Sequence, residues 1–136
     1  MIGVDNHATR GAIAEAKVVA KLTEMGYVCS LPVVHAARYD LILDFDNVMV
    51  RVQVKHAYEG ANGKLRVDLR GKSSYHGKEP YTPHEIDAFA VYYDDAVYWF
   101  WFNETPSTGI KRDREWFEQH RVEDKISISA QIEQCL

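Results

Sequence analysis

Asp40, Gln53 and Lys55 have the side-chain types and the spacing that metal-assisted hydrolysis of a phosphate ester requires. Asp40 lies at the start of one segment of alternating apolar residues, and Gln53 and Lys55 stand two residues apart in the next such segment. Carboxylate and amide oxygens are ligands that Mg²⁺ prefers in proteins. A lysine beside a metal-bound water can orient that water or accept its proton, above all where burial lowers the lysine pKa. These residues therefore predict a site at which Mg²⁺ and a lysine direct water onto a phosphate.

Glu15 adds a second carboxylate from a predicted helix that spans Thr9–Met25 and ends before Gly26. Glu15 lies in the middle of the apolar side of this helix, where a charge needs a partner. One interpretation is that the helix packs on the following strands and carries Glu15 close to Asp40. The other interpretation is a salt bridge between Glu15 and a nearby arginine such as Arg38.

The strands that follow the helix are expected to position the other polar residues. The segments Tyr39–Phe45 and Val48–Ala57 alternate in polarity on either side of a tight Asp46-Asn47 turn. Asn62-Gly63 is a hairpin turn that leads into a third alternating segment. The apolar residues of that segment are Leu65, Val67 and Leu69. We expect an antiparallel β-meander in which polar side chains of neighbouring strands share one face.

The remaining segments complete a mixed pattern of helices and strands. In chain order, the other predicted elements are an edge strand, a loop, a strand pair and a short helix: Tyr27–Val34, Gly71–Pro83, Ile86–Tyr93 with Ala96–Phe102, and Arg112–His120. The pattern of Lys125–Leu136 is compatible with strand or helix. A helix, a β-meander, a further strand pair and a C-terminal helix predict one mixed α/β (α+β) domain over residues 1–136.

The charge of the chain is distributed unevenly. The formal net charge is −4, which by itself argues against a nucleic-acid-binding protein. Residues 51–78, however, hold seven basic and two acidic residues, whereas residues 79–136 hold five basic and twelve acidic ones. We interpret the basic stretch as a surface for the DNA backbone; the alternative is a solvated strand face on which Arg66 and Arg70 alternate with Asp68. Its predicted DNA-binding residues are Arg51, Lys64, Arg66, Arg70, Lys72 and Lys78.

Composition excludes several other classes of protein. The two cysteines, Cys29 and Cys135, have no metal-ligand spacing and form no disulfide framework. The longest apolar run, Ala96–Phe102, is far shorter than a membrane span, and no secretory signal is visible at the start. We therefore expect a cytoplasmic protein without a membrane partner.

The second strand pair contains an aromatic block with more aromatic residues than one buried face of a hairpin requires. Its members are Tyr92, Tyr93, Tyr98, Trp99, Phe100, Trp101 and Phe102. We interpret one side of the block as core and the other as a subunit contact, with stacking on nucleobases as the alternative. A homo-oligomer, either a dimer or a tetramer, would also suit the cutting of two DNA strands by symmetric sites.

Three short motifs resemble the PD-(D/E)XK nuclease superfamily when they are taken in order. They are Gly11-Ala-Ile-Ala-Glu15, Tyr39-Asp40-Leu-Ile-Leu and Val52-Gln53-Val54-Lys55. The Gln-Val-Lys version is most similar to the intron-encoded homing endonucleases, whose motif reads D…QxK. The archaeal Holliday-junction resolvases resemble the chain more loosely. The resemblance covers roughly residues 9–57 well, and Tyr39 stands where the superfamily name has a proline.

The resemblance implies a restriction-endonuclease-like core and a role for each motif residue. Asp40 would be the central Mg²⁺ ligand, Glu15 would contribute directly or through water, and the Val54 carbonyl would complete the metal shell. Lys55 would serve the attacking water. Gln53 stands where most of the superfamily has a carboxylate, so it would offer one neutral oxygen and leave the site with one negative charge fewer.

The resemblance also implies an activity, namely that of a magnesium-dependent DNA endonuclease acting on duplex DNA, of homing or other site-specific type. A second reading within enzymes is a Holliday-junction or other structure-selective nuclease. The reading from another class is a catalytically silent nucleic-acid-binding module with the same fold.

Overall fold

The computed structural model describes residues 1–3, 5–34, 36–45, 47–73 and 77–123, so the segment Lys125–Leu136 lies outside the described residues. The described helices are α1 (His7–Glu24) and α2 (Arg114–Glu118), with a 3₁₀ turn at Phe102–Glu104. The described strands are β1 (Val28–Ser30), β2 (Leu41–Phe45), β3 (Val48–His56), β4 (Tyr58–Glu59), β5 (Leu65–Asp68), β6 (Arg70–Ser73), β7 (Gly77–Pro80), β8 (Ala88–Tyr93), β9 (Ala96–Trp101) and β10 (Gly109–Arg112). This is the mixed α+β content that the sequence predicts.

A five-stranded mixed sheet with the order β1-β2-β3-β8-β9 forms the centre of the fold. Its strands pair antiparallel except for β3 and β8, which are parallel with Val54 opposite Ala90. Every residue of β8 except the last is buried. A strand that is apolar on both faces suits the interior of a sheet covered on both sides, and this places β3 next to it at the centre.

The two faces of this sheet are covered by different parts of the chain. On one face, α1 packs through Ala14, Val18 and Leu22 onto the inward-facing residues of β2, β3, β8 and β9. The other face carries a three-stranded sheet, ordered β10-β5-β4, together with α2. Along β3, residues 50, 52 and 54 face α1, so the alternation of the strand turns residues 51, 53 and 55 to the opposite side.

Local sequence signals explain where α1 begins and ends. The side chain of Asn6 accepts a hydrogen bond of 2.8 Å from the Thr9 backbone and caps the helix, which therefore starts at His7. Gly26 follows the helix with φ of 93°, a conformation that favours glycine. The predicted end before Gly26 is thus confirmed, and the start lies two residues earlier than the predicted Thr9.

The predicted hairpin turns are present. Asn47 between β2 and β3 and Gly63 between β4 and β5 both have positive φ. Asp94 and Asp95 also have positive φ, 48° and 61°, as a two-residue turn between antiparallel strands requires. The strand pair predicted for Ile86–Tyr93 and Ala96–Phe102 is confirmed as β8 and β9.

The antiparallel meander is present, but its membership differs from the prediction. It consists of β1, β2 and β3, whereas β5, which was expected as its third strand, pairs with β4 and β10 in the other sheet. The side of β3 that β5 would need is taken by β8. The more apolar strand occupies the buried central position, and β5, with alternating buried and exposed residues, suits the outer sheet.

Two further segments also differ from the sequence prediction. The segment Gly71–Pro83 was predicted as a loop, yet it contains most of a hairpin formed by β6 and β7. The predicted helix Arg112–His120 is shorter, because Arg112 ends β10 and the Asp113 side chain caps α2 by accepting a hydrogen bond from Trp116. Polar and glycine-rich composition did not distinguish a short exposed hairpin from a loop.

The aromatic block forms core on both sides, which corrects the expectation of a subunit contact or a base-stacking surface on one side. Every residue of β9 is buried, and Trp99 and Trp101 join the cluster under α1. Tyr98 and Phe100 join the cluster on the opposite face. The second face is therefore covered by the chain itself.

No helix in the described part of the chain is long and apolar enough to cross a membrane.

The close approach of β10 to β5 depends on Gly109. A Cβ atom at this position would lie 2.7 Å from the backbone oxygen of Val67, which cannot move without displacing β5. We expect Gly109→Ala to lower the free energy of unfolding by about 1–3 kcal/mol in urea denaturation. Gly11→Ala is the matched control, because Gly11 lies in α1 with open space around it, and alanine there should stabilise by about 0.5–1 kcal/mol. Equal effects of the two substitutions would contradict this explanation.

Candidate active site

Asp40 continues the pairing of β2 with β3 through its side chain. Its backbone N–H donates to the Val52 carbonyl at 2.9 Å, and its Oδ2 accepts the Val54 N–H at 2.9 Å. The strand β2 begins only at Leu41, so it offers no backbone carbonyl to the Val54 N–H. The Asp40 carboxylate accepts that hydrogen bond instead. Asp40 thereby lies opposite Gln53, as the tight turn between the strands predicts.

The Val54 carbonyl points to the same open position. In a β-strand the N–H and C=O of one residue face the same neighbour, so this carbonyl is directed beyond the end of β2. Among the described residues, the Gln53 side-chain Nε2 lies 3.5 Å from this carbonyl oxygen, which is long for a hydrogen bond. A carboxylate, a carbonyl and an amide therefore meet at the end of β2.

Lys55 extends from β3 into a cleft that is also lined by the first turns of α1. Its Nζ donates to the Arg70 carbonyl at 2.8 Å and lies 5.2 Å from the centre of the Tyr81 ring. Burial lowers the pKa of Lys55, although the nearby carboxylates of Asp68 and Asp40 act in the opposite direction. The ammonium is thus held beside Asp40 in a setting that favours loss of its proton.

The pKa of Asp40 shifts in the opposite direction. Burial raises it, while the hydrogen bond from Val54 and the positive charge of Lys55 lower it by less. The folded protein therefore holds this carboxylate in its charged form only at a free-energy cost. A buried carboxylate next to a lysine of lowered pKa is a recognised mark of a functional site.

Glu15 lies on α1 beyond the residues that line the cleft and is not itself part of that lining. The cleft encloses about 370 Å³, and its lining includes His7 and Gly11 together with Gln53 and Lys55. Since His7, Gly11 and Glu15 are spaced four residues apart, they share one side of α1. Glu15 is half-buried and lies one turn beyond Gly11. The structure thus brings Asp40, Gln53 and Lys55 together directly and places Glu15 further along the helix that borders them.

The oxygen donors at the end of β2 fit a hard divalent cation better than a transition metal. Asp40, Gln53 and Val54 offer carboxylate, amide and carbonyl oxygens, which suit Mg²⁺. The described residues contain no group of three or more His, Cys, Asp or Glu side chains that could hold a metal ion. Such a site would therefore depend on one or two carboxylates supplemented by neutral oxygens.

Tyr81 lines the cleft and Arg38 packs on its ring, and neither was predicted from the sequence as a site residue. The Arg38 guanidinium lies 4.2 Å from the centre of the Tyr81 ring, and its Nε is 2.7 Å from Glu85 Oε2. Burial raises the pKa of Tyr81 to about 12, so its hydroxyl stays protonated. Gly71 permits this packing, because a Cβ there would lie 2.6 Å from the Tyr81 oxygen. Tyr81 was not predicted to be a site residue because its segment was interpreted as a loop.

Arg51 has contacts that differ from its predicted role in DNA binding. Its Nε and one Nη donate to the two oxygens of Asp87, both at 3.0 Å, and it also donates to the carbonyls of Pro83 and His84. Although burial alone would raise the pKa of Asp87, the arginine holds it below its usual range. The donors of Arg51 thus tie β3 to the segment before β8 and are not directed at a ligand.

The other predicted DNA-binding residues lie on or beside the outer sheet and the hairpin. Lys64, Arg66, Arg70 and Lys78 are exposed, and Lys72 occupies the register position opposite Lys78. A groove adjoining the cleft is lined by Arg66, Arg70 and also Lys111, which pairs with Arg66 across β5 and β10. Lys111 lies outside the basic stretch, and only the pairing of distant strands brings it here.

The fold agrees with the comparisons with known proteins. The sequence pattern of the PD-(D/E)XK endonuclease family matches residues 5–125, so the chain belongs to that family. The solved structure of a bacterial homing endonuclease, I-Ssp6803I, is similar in fold, with a TM-score of 0.72 at 20% sequence identity. That match covers 85% of this chain and 88% of the other. A search of curated proteins found no match. The superfamily predicted from the three motifs is confirmed.

The contacts of Arg51 lead to a test of its structural role. We expect Arg51→Gln and Asp87→Asn each to lower the free energy of unfolding by about 1–3 kcal/mol, because each leaves a charged partner unpaired. Neither should change the salt dependence of DNA binding. Arg66→Gln is the control, since Arg66 is exposed and should affect DNA affinity but not stability. Urea denaturation and fluorescence anisotropy distinguish the roles; a stable Arg51→Gln variant with weakened DNA binding would contradict ours.

Proposed function

We propose that this endonuclease-family protein is a magnesium-dependent enzyme that hydrolyses phosphodiester bonds of duplex DNA at specific sites, as a homing-type endonuclease. The observation that carries the proposal is the pairing at the end of β2. There the Asp40 carboxylate and the Val54 carbonyl share one position beside Gln53. Lys55, of lowered pKa, follows directly on the same strand.

Each residue then has a defined part in the reaction. Asp40, Gln53 and the Val54 carbonyl would hold Mg²⁺, with Glu15 contributing from α1 directly or through water. When bound, Mg²⁺ supplies charge neutralisation at the phosphate and lowers the pKa of a coordinated water. Lys55 orients the attacking water and can take up its proton, because burial has already weakened the hold of its amine on a proton.

Basic side chains next to the cleft support the choice of DNA as substrate. Neutralising backbone phosphates releases counterions and supplies most of the affinity of a protein for DNA of any sequence. The groove next to the cleft presents Arg66 and Lys111 on neighbouring strands, and Lys64 and Lys78 lie close by along the chain. Whole-chain charge is therefore a poor guide here, since these cations are concentrated on one side of the molecule.

Two alternatives remain distinguishable by experiment. A structure-selective nuclease would use the same site on four-way junctions. A catalytically silent module is favoured by two observations: Gln53 is neutral, and the described residues hold no cluster of three acidic or other metal-binding side chains.

The test compares cleavage of DNA with stability of the protein. We expect the wild type to cut a pool of long duplexes at discrete sites with Mg²⁺ and not with EDTA. Asp40→Asn and Lys55→Met should reduce cleavage by about 100-fold or more. The free energy of unfolding of Asp40→Asn should be unchanged or higher by up to about 1 kcal/mol, because the substitution removes a charge that is costly to bury.

The outcomes separate the readings. Cutting of four-way junctions alone would favour the structure-selective nuclease. DNA binding without Mg²⁺-dependent cutting of any substrate would favour the silent module. Asp44→Asn is the matched control, since Asp44 lies on β2 away from the cleft, and it should leave cutting unchanged. Retained cutting by Asp40→Asn would overturn the site.

We further propose that the protein acts as a homo-oligomer, a dimer or a tetramer, so that two sites cut the two DNA strands. Exposed apolar side chains near the edge strand β1 support this. The aliphatic side chains of this surface are each more than half exposed: Val28, Leu31, Val33, Val34 and Met49. An edge strand flanked by such side chains is a surface that proteins ordinarily cover.

Analytical ultracentrifugation tests this assembly. The wild type should sediment as a dimer or tetramer at micromolar concentration, and Leu31→Ser with Val33→Ser should shift it toward the monomer because apolar contact area is lost. Ile2→Ser, at another exposed apolar residue, is the control and should change nothing. A monomeric wild type would contradict the proposal.

A further inference from the structure

Asp68 is the one acidic residue among the described residues that line the cleft into which Lys55 extends, because Asp40 and Glu15, the proposed metal ligands, are not part of this lining. The same lining contains three cations, Lys55, Arg70 and Lys78. Asp68 ends β5 and is half-buried. A carboxylate at this place repels the substrate of a nuclease, so its presence needs an explanation.

Both oxygens of Asp68 are occupied by the cations that line the cleft. Oδ1 accepts from Arg70 Nε at 3.1 Å, and Oδ2 accepts from an Arg70 Nη at 3.3 Å and from Lys78 Nζ at 2.8 Å. Burial alone would raise the pKa of Asp68, but these partners hold it well below its usual range. These cations therefore favour the charged form of the carboxylate.

The arrangement reproduces the contacts that a phosphate group makes. Arginine binds two oxygens of a carboxylate or a phosphate with the same fork of donors, and lysine adds a point charge beside it. Arg70 and Lys78 are both exposed, so a phosphate can approach them from solvent. The pairs that they form with Asp68 are accessible to solvent, and pairs of this kind contribute little to stability and can be exchanged.

We propose that Asp68 occupies, in the free protein, the place of a DNA backbone phosphate between Arg70 and Lys78. This inference rests on the proposed function, because it takes DNA as the ligand. Binding of DNA exchanges the carboxylate for a phosphate at these two cations. Asp68 thus acts as an internal competitor that lowers the affinity of the cleft for DNA of any sequence.

Such a competitor limits binding to non-target DNA. The affinity for all duplexes falls together, so the ratio of specific to non-specific affinity is unchanged. The absolute occupancy of random DNA at physiological salt falls, however, because non-specific binding depends almost wholly on phosphate contacts. Only a duplex with additional contacts to the protein then fills the cleft.

The competition can be separated from the structural role of Asp68. Oδ1 also accepts the Arg70 backbone N–H at 3.0 Å, at the corner between β5 and β6. An asparagine at position 68 keeps an oxygen for this hydrogen bond and removes the negative charge. Asp68→Asn therefore tests the charge, while Asp68→Glu retains the charge and tests the position.

The experiment measures binding of a duplex of arbitrary sequence in EDTA by fluorescence anisotropy, from about 50 to 200 mM KCl. We expect Asp68→Asn to bind about tenfold or more tightly than the wild type at the lowest salt. Its plot of log affinity against log salt should be steeper by up to about 1, since one negative charge no longer offsets the two cations. Asp68→Glu should behave like the wild type.

Two further variants test whether Asp68 changes DNA affinity through Arg70 and Lys78. In a Lys78→Gln, Arg70→Gln background, Asp68→Asn should no longer raise the affinity, because the cations through which it acts are gone. Asp95→Asn is the matched control, since it removes the same charge from an exposed ion pair with Lys17 outside the cleft. It should leave DNA affinity within twofold of the wild type.

The results distinguish failure of this inference from failure of the proposed function. If the wild type and Asp68→Asn both fail to bind DNA at low salt, the proposed function is wrong, and the inference with it. If the wild type binds and Asp68→Asn binds equally or less tightly, only the inference is wrong. Should Asp68→Asn be unfolded in thermal denaturation, Asp68→Ser provides the same comparison with a smaller neutral side chain.

Discussion

The parallel pairing of β3 with β8 is the constraint on which the rest of the structure depends. It places β3 at the centre of the sheet, with α1 on one face and the outer sheet on the other. Because β2 begins only at Leu41, the last part of β3 has β8 on one side and an open position on the other. The site residues lie where β3 changes from pairing on both sides to pairing with β8 alone. There the backbone is still held by β8, while polar groups are available on the other side.

Much of this could be predicted from the sequence, because it depends on local signals. The helix with its closing Gly26, the paired segments around Asn47 and the convergence of Asp40 with Gln53 and Lys55 all follow from periodicity and a tight turn. The place of β5 could not be predicted, since its alternation fits any half-exposed sheet, and pairing partners distant in the chain leave no local signal. The structural contacts of Arg51 could not be predicted either, because its partner Asp87 lies thirty-six residues further along the chain.

The charges of the site oppose the stability of the fold. Burial raises the pKa of Asp40 and lowers that of Lys55, so each group would be more easily accommodated in its neutral form. A fold selected for stability alone would place apolar or neutral residues there. Proteins keep such groups where their chemistry is needed, which is why this pair is a stronger indication of function than either motif residue by itself.

Arg70 belongs both to the proposed binding surface and to the candidate active site. Its side chain pairs with Asp68, while its carbonyl accepts the hydrogen bond of Lys55. The β6–β7 hairpin is therefore not a module that can be exchanged without effect on chemistry. Any shift in the register of this hairpin, whether through evolution or by grafting a different recognition loop, also displaces the acceptor that orients the lysine. Under the proposed function, changes of DNA preference made there are coupled to turnover, and compensating substitutions should be sought on β3.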